Sequence, residues 1–77
     1  MQKEIIEYQI GVLVAKTRKG NEYKTEINLL SDIVENEFAI EIIQFGQSIY
    51  IRENQFNDFV DILRAALDQS IKITENE

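Results

Sequence analysis

The sequence predicts an α+β domain: a four-strand antiparallel meander followed by one carboxy-terminal helix, β-β-β-β-α. Three observations predict it. From Tyr8 onward, apolar and polar side chains alternate with the period of two that marks a strand. Short breaks rich in glycine, asparagine and charge interrupt that alternation at hairpin spacing. After residue 54 the period changes to 3.6, the repeat of an amphipathic helix.

The first strand opens at Tyr8. Strict alternation puts Tyr8, Ile10, Val12 and Val14 on one face and Gln9, Gly11, Leu13 and Ala15 on the other. Thr17-Arg18-Lys19-Gly20-Asn21 breaks the pattern, and its Gly-Asn pair tolerates the positive φ that a tight hairpin needs. A second strand resumes with Tyr23, Thr25, Ile27 and Leu29 on one side and Lys24, Glu26, Asn28 and Leu30 on the other. Ser31 to Glu37 reads as a polar connection to a third strand, whose Phe38, Ile40 and Ile42 face the core. Gly46 ends it, and Ser48 to Arg52 forms a short fourth strand with Ile49 and Ile51 inward. Phe56, Phe59, Val60, Leu63, Ala66 and Leu67 then follow i, i+3, i+4, i+7 spacing, which predicts a helix from Asn54 to about Gln69. Asn54 suits the N-cap, and Asp58 and Asp61 suit the positive end of the helix dipole. The domain is expected to cover residues 1–71, with 72–77 as a frayed tail.

A chain of 77 residues permits one domain. A domain this small buries roughly 60–65% of the surface its unfolded chain exposes, so it needs support from disulfides, a metal or a partner. Cysteine and histidine are both absent, which leaves association as the open route and predicts a homodimer. Ile62 and Ala65 widen the helix's apolar stripe beyond what one small sheet covers, so the helix is the expected interface, with Phe59, Ile62, Leu63 and Ala66 as contact residues. A partly exposed Ile62 is the simpler alternative. The lack of cysteine fits a reducing compartment, no apolar run approaches the length of a membrane span, and MQKEII lacks the pattern of a signal peptide. A cytoplasmic protein without membrane contact is expected.

Catalysis is not expected. Without histidine or cysteine the commonest bases, metal ligands and thiol nucleophiles are gone. The three glycines lie far apart, so no phosphate-cradling loop is present, and no metal or other cofactor is called for. A net charge of −6 opposes general affinity for phosphate backbones. That charge is polarised, however. Lys16, Arg18, Lys19 and Lys24 fall within nine positions that hold one acid, Glu22, so this hairpin is positive on a negative chain. It can grip a nucleic-acid backbone or be a solvated turn.

Parity places Leu13, Lys24, Leu30, Ile43, Phe45, Tyr50 and Arg52 on the sheet face away from the helix. Aromatic rings that stack on bases, with cations that follow phosphates, are the means of single-strand binding. Glu26 and Glu41 share that face and repel phosphate, and its apolar residues fit a protein–protein interface equally well.

Tyr8-Gln9-Ile10-Gly11, Lys19-Gly20 in the first turn, Glu26-Ile27-Asn28 followed by Ser31, and Ile49 to Phe56 leading into the last helix together resemble a known family. They are similar to the single-stranded-DNA-binding domain of the transcriptional coactivator positive cofactor four and its small bacterial or viral relatives. The similarity runs from about Ile5 to Leu67; it lies in the order and spacing of the motifs rather than in any single one. It implies a β-β-β-β-α protomer that dimerises through its helix and strand ends and presents a groove to single-stranded or melted DNA. By position, Lys16, Arg18, Lys19, Tyr23 and Lys24 would make the contacts, and the outer-face residues Tyr50 and Arg52 join them as candidates. Glu41 and Ile43 stand where relatives commonly carry a basic residue and a tryptophan, and Arg52 stands where they favour a Ser, Thr or Asn cap.

The expectation is thus a non-catalytic, dimeric binder of single-stranded DNA in preference to RNA, an accessory factor in transcription or replication. The alternative is an acidic protein-interaction module or inhibitor that offers carboxylates such as Glu35, Glu37, Glu41, Asp58 and Asp61 to a basic protein partner.

Overall fold

A computed structural model describes residues 4–76. Four strands, β1 (Ile5–Lys16), β2 (Glu22–Asp32), β3 (Glu37–Gln44) and β4 (Gln47–Arg52), form one antiparallel sheet in the order β1-β2-β3-β4. A single 3-10 turn (Glu53–Gln55) leads from β4 into the helix α1 (Phe56–Glu75). The α+β meander with a terminal helix read from the sequence is therefore the observed architecture.

The first hairpin closes as a tight turn followed by a left-handed glycine. Gly20 N donates to Thr17 O at 3.0 Å, Thr17 N donates to Asn21 O at 2.9 Å, and Gly20 takes φ +89°. Only glycine occupies that conformation without strain, which explains the break in the pattern. In the second connection Glu35 N donates to the Asp32 carboxylate at 3.0 Å, and Asn36 sits at φ 53°. The third turn is the two-residue link Phe45-Gly46, with φ 54° and 74°. Two positive φ values match the twist of a hairpin, but a bulky phenylalanine is an uncommon occupant of that region.

Strict alternation fails in β1. Gln9 lies opposite Asn28 but Gly11 lies opposite Ile27, so Ile10 is the extra residue of a β-bulge. One inserted residue reverses the faces beyond it. Tyr8 shares a face with Leu29, Ile40 and Ile51, whereas Val12 and Val14 lie opposite Glu26 and Lys24 on the other face. Leu13, expected on the outer face, instead lies opposite Thr25 on the apolar face.

The helix also departs from expectation at both ends. It starts at Phe56 rather than Asn54, because Gln55 Oε1 accepts from Arg52 N at 3.0 Å and fixes a 3-10 turn first. Glu53 Oε1 accepts from Phe38 N at 3.0 Å and ties that turn to β3. The helix then runs without interruption past residues 69 and 71 to Glu75, so residues 72–75 of the segment expected to fray are helical and Asn76 follows as the cap. Ile71 and Ile73 prolong the apolar stripe there, and Asn76 N donates to the carbonyls of Lys72 and Ile73. Met1–Lys3 and Glu77, parts of the expected domain and tail, lie outside the described residues.

The root of α1 meets the apolar sheet face at a hollow lined by Ile51, Gln55, Asp58, Phe59 and Ile62. Phe59, in that hollow, and Phe56 are half-buried, and every later described residue of the helix is exposed. The Cα radius of gyration is 16.1 Å, against about 12 Å for a compact domain of this length. Among the described residues no apolar side chain is fully buried; the one buried residue is Asn28, 3% exposed. Among them, too, no helix is long and apolar enough to cross a membrane.

Candidate nucleic-acid interface

The pairing register fixes two sheet faces of opposite character. Ile6, Tyr8, Leu13, Ile27, Leu29, Ile40, Ile42, Ile49 and Ile51 share the face on which the helix root sits. On the other face, six carboxylates (Glu7, Glu22, Glu26, Asp32, Glu37, Glu41) stand against three cations (Lys16, Lys24, Arg52). Two of those cations are already paired, Lys16 with Glu22 at 3.6 Å and Arg52 with Glu37 at 3.2 Å.

At the centre of the polar face the Asn28 side-chain amide donates to Glu7 Oε1 at 2.7 Å and to Glu41 Oε1 at 3.2 Å, joining β1, β2 and β3. Glu7, Gln9, Glu26 and Asn28 line a hollow of about 350 Å³ beside it. An acidic band therefore crosses the sheet between Lys24 and the Tyr50–Arg52 end. Tyr50 lies opposite Glu41, and Arg52 borders a larger hollow of about 500 Å³ whose walls include Asp32, Glu37 and Tyr50. Phosphates following the face from the hairpin to Arg52 would have to pass Glu26, Glu41, Glu7 and Glu37 to reach a cation that is already paired.

The turn end of the sheet is different. Arg18 and Lys19 occupy the β1–β2 turn, and Lys24 lies opposite Val14 on the adjacent β2 segment. Among the described residues none of these three has a carboxylate within ion-pair distance. The β3–β4 turn reaches the same end of the sheet. It sets the Phe45 ring edge-on to Tyr23, with centroids 5.4 Å apart and planes at 76°. Tyr23 is 37% exposed and Phe45 72%. Gln44 Nε2 donates to Thr25 Oγ1 at 2.9 Å and braces the two turns beside that pair.

The sequence-predicted residues thus divide into two groups. Lys16, Arg18, Lys19, Tyr23 and Lys24 come together at the turn end, with Lys16 held by Glu22. Tyr50 and Arg52 lie beyond the acidic band. Tyr23 and Lys24, being adjacent in a strand, project to opposite faces of that end. Phe45, expected on the outer sheet face as a strand-like position, lies instead in the turn against Tyr23; the adjoining Gly46 is the signal in the sequence for this place. Among the described residues there is no group of three or more acidic side chains arranged to hold a metal ion. Comparison of the chain with protein-family models, with curated proteins and with solved structures gave no match.

Proposed function

We propose that the protein binds single-stranded nucleic acid, DNA in preference to RNA, at the turn end of its sheet, and does so without catalysis. The observation that carries this reading is that Arg18, Lys19 and Lys24, three cations free of carboxylate partners among the described residues, share one end of the sheet with the exposed Tyr23–Phe45 pair. Cations there neutralise phosphates while bases stack on the rings, a mode that tolerates any sequence. The motif resemblance supports the same reading. The acidic remainder of the surface confines binding to this end and keeps its affinity modest.

Fluorescence anisotropy with a labelled oligo-dT probe, run at two or more salt concentrations, tests it. Three neutralised phosphates give a slope of log K against log salt of about −2 for each turn end engaged. Changing Arg18, Lys19 and Lys24 together to alanine should abolish most of that slope. No binding at tens of micromolar protein in low salt would sink the proposal, and an oligo-U probe in parallel tests the preference for DNA.

The acidic face supports a second reading, in which Glu7, Glu26 and Glu41 receive a basic protein partner. The convergence of Glu7 and Glu41 on Asn28 is the observation in its favour. An oligolysine peptide that fails to bind wild type, or binds E26Q/E41Q equally well, would remove it.

A further inference from the structure

We propose that the hollow at the end of the sheet opposite the cationic turn is a binding site for a small organic cation, a primary ammonium joined to an apolar ring. The hollow measures about 500 Å³, and small-molecule sites run from about 300 to 1,000 Å³. It lies on the polar face, and all four strands contribute to it. Register explains its composition. Leu30, Ala39 and Arg52 form one row across β2, β3 and β4, and Asp32 and Glu37 form the next row, two residues along. Leu30 and Ala39 are the floor, and the second row is a charged rim.

The apolar half of the hollow suits a ring. Leu30 and Ala39 are only half-buried, so apolar surface remains open above the floor. Ile5 on β1 and Tyr50 on β4 stand on either side of it, 51% and 55% exposed. Among the described residues Tyr50 meets no other aromatic ring. A ligand ring seated between these walls covers apolar surface on three sides and stacks offset or edge-on against Tyr50.

The charged half selects the sign of the ligand. The Arg52 guanidinium donates through Nε to Glu37 Oε1 at 3.2 Å and through Nη2 to Glu37 Oε2 at 3.4 Å, so these two charges offset each other. Asp32 keeps its own. Its Oδ1 accepts from Glu35 N at 3.0 Å, and among the described residues no cation lies within ion-pair distance of it. Asp32 is also half-buried, and a charge partly withdrawn from water attracts an ammonium more strongly than an exposed one. An anionic ligand would have to displace Glu37 from Arg52 and then face Asp32. The two rows lie about 6.7 Å apart along the strands, twice the rise per residue. A two-carbon link between ring and ammonium spans that gap.

Amide chemical-shift mapping of the full chain by two-dimensional NMR, without nucleic acid, tests this with three probes. Phenethylamine should shift the amides of Leu30, Ala39 and Tyr50 saturably, with the millimolar dissociation constant expected of so few atoms. Phenylacetate has a similar body and the opposite charge, and butylamine has the same charge without the ring; each should bind several-fold more weakly. Asp32→Asn keeps an oxygen for Glu35 N but loses the charge, and should weaken phenethylamine about 5-fold. Ala39→Leu fills the floor and should abolish the shifts at Leu30 and Tyr50 while the rest of the spectrum shows the fold intact. No saturable shift in this hollow at tens of millimolar phenethylamine overturns the proposal. Equal binding of phenylacetate or of butylamine, or unchanged affinity in either variant, overturns it too. Ala39→Leu leaves every charge in place, so its oligo-dT binding should match wild type, and the amine site and the nucleic-acid reading fail separately.

Discussion

Replacing Asn28 with aspartate isolates the most constrained polar contact in the sheet. The wild-type amide is 3% exposed and donates to two carboxylates on neighbouring strands. Aspartate has almost the same shape, removes both donors and adds a third negative charge between Glu7 and Glu41. Hydrogen bonds to charged acceptors contribute about 1.5–3 kcal/mol each; because Glu7 is exposed, the lower figure applies, and two lost bonds cost about 3 kcal/mol at pH 7. The deficit must depend on pH in a definite direction. The new carboxyl ionises near its ordinary value in the unfolded chain and only at higher pH in the folded one, where two like charges oppose it. The penalty is therefore full above the folded value and fades as pH falls towards the unfolded one, where the protonated carboxyl of the variant can again donate one bond. Urea denaturation followed by circular dichroism, at fixed protein concentration, should show N28D about 3 kcal/mol less stable than wild type at pH 7 and about half as much less stable at pH 4. A deficit below 1 kcal/mol at pH 7, or one unchanged between the two pH values, would refute the reasoning.

The turns and the surface give further expected outcomes. Phe45→Asn should raise the thermal midpoint slightly, since asparagine accepts the positive φ that strains phenylalanine, yet weaken oligo-dT binding about 5- to 100-fold through loss of a stacking ring. Gly20→Val should lower stability by about 1–2 kcal/mol in the same denaturation assay, because a β-branched residue cannot adopt φ +89° without strain. Glu37→Gln should change stability by less than about 0.5 kcal/mol, the Arg52 side chain of that ion pair being 70% exposed. Leu67→Asp should shift the light-scattering mass towards 9 kDa, whereas Asp68→Lys, on the charged half of the same helix, should leave it unchanged.

How far the fold can be read from the sequence depends on how local each signal is. The hairpin at Gly20, the change of period near residue 54 and the inward set of Ile40, Ile42, Ile49 and Ile51 are written in short spacings, and all appear in the structure. The facing of β1 is not local. Nothing in Gln9-Ile10-Gly11 reveals that Ile10 is unpaired until Asn28 and Ile27 are set opposite, so alternation alone puts Leu13 and Val12 on the wrong faces. The helix end escapes the sequence for a related reason: Ile71, Ile73 and Thr74 are weak helix formers, and only the continued apolar stripe favours helix there. At the candidate site, the cationic cluster is legible from charge spacing. The pairing of Lys16 with Glu22, the capture of Arg52 by Glu37 and the meeting of Phe45 with Tyr23 all depend on which strands are neighbours.

The bulge at Ile10 also bears on what can attach to the sheet's long outer border. β1 is an edge strand of 12 residues, long enough to template pairing with another chain. The unpaired residue divides its hydrogen-bonding rim into Ile5–Gln9 and Gly11–Lys16, so a straight incoming strand keeps register with one half only. An added strand must carry an insertion of its own or stop after five or six residues, which makes this border a poor seed for indefinite stacking.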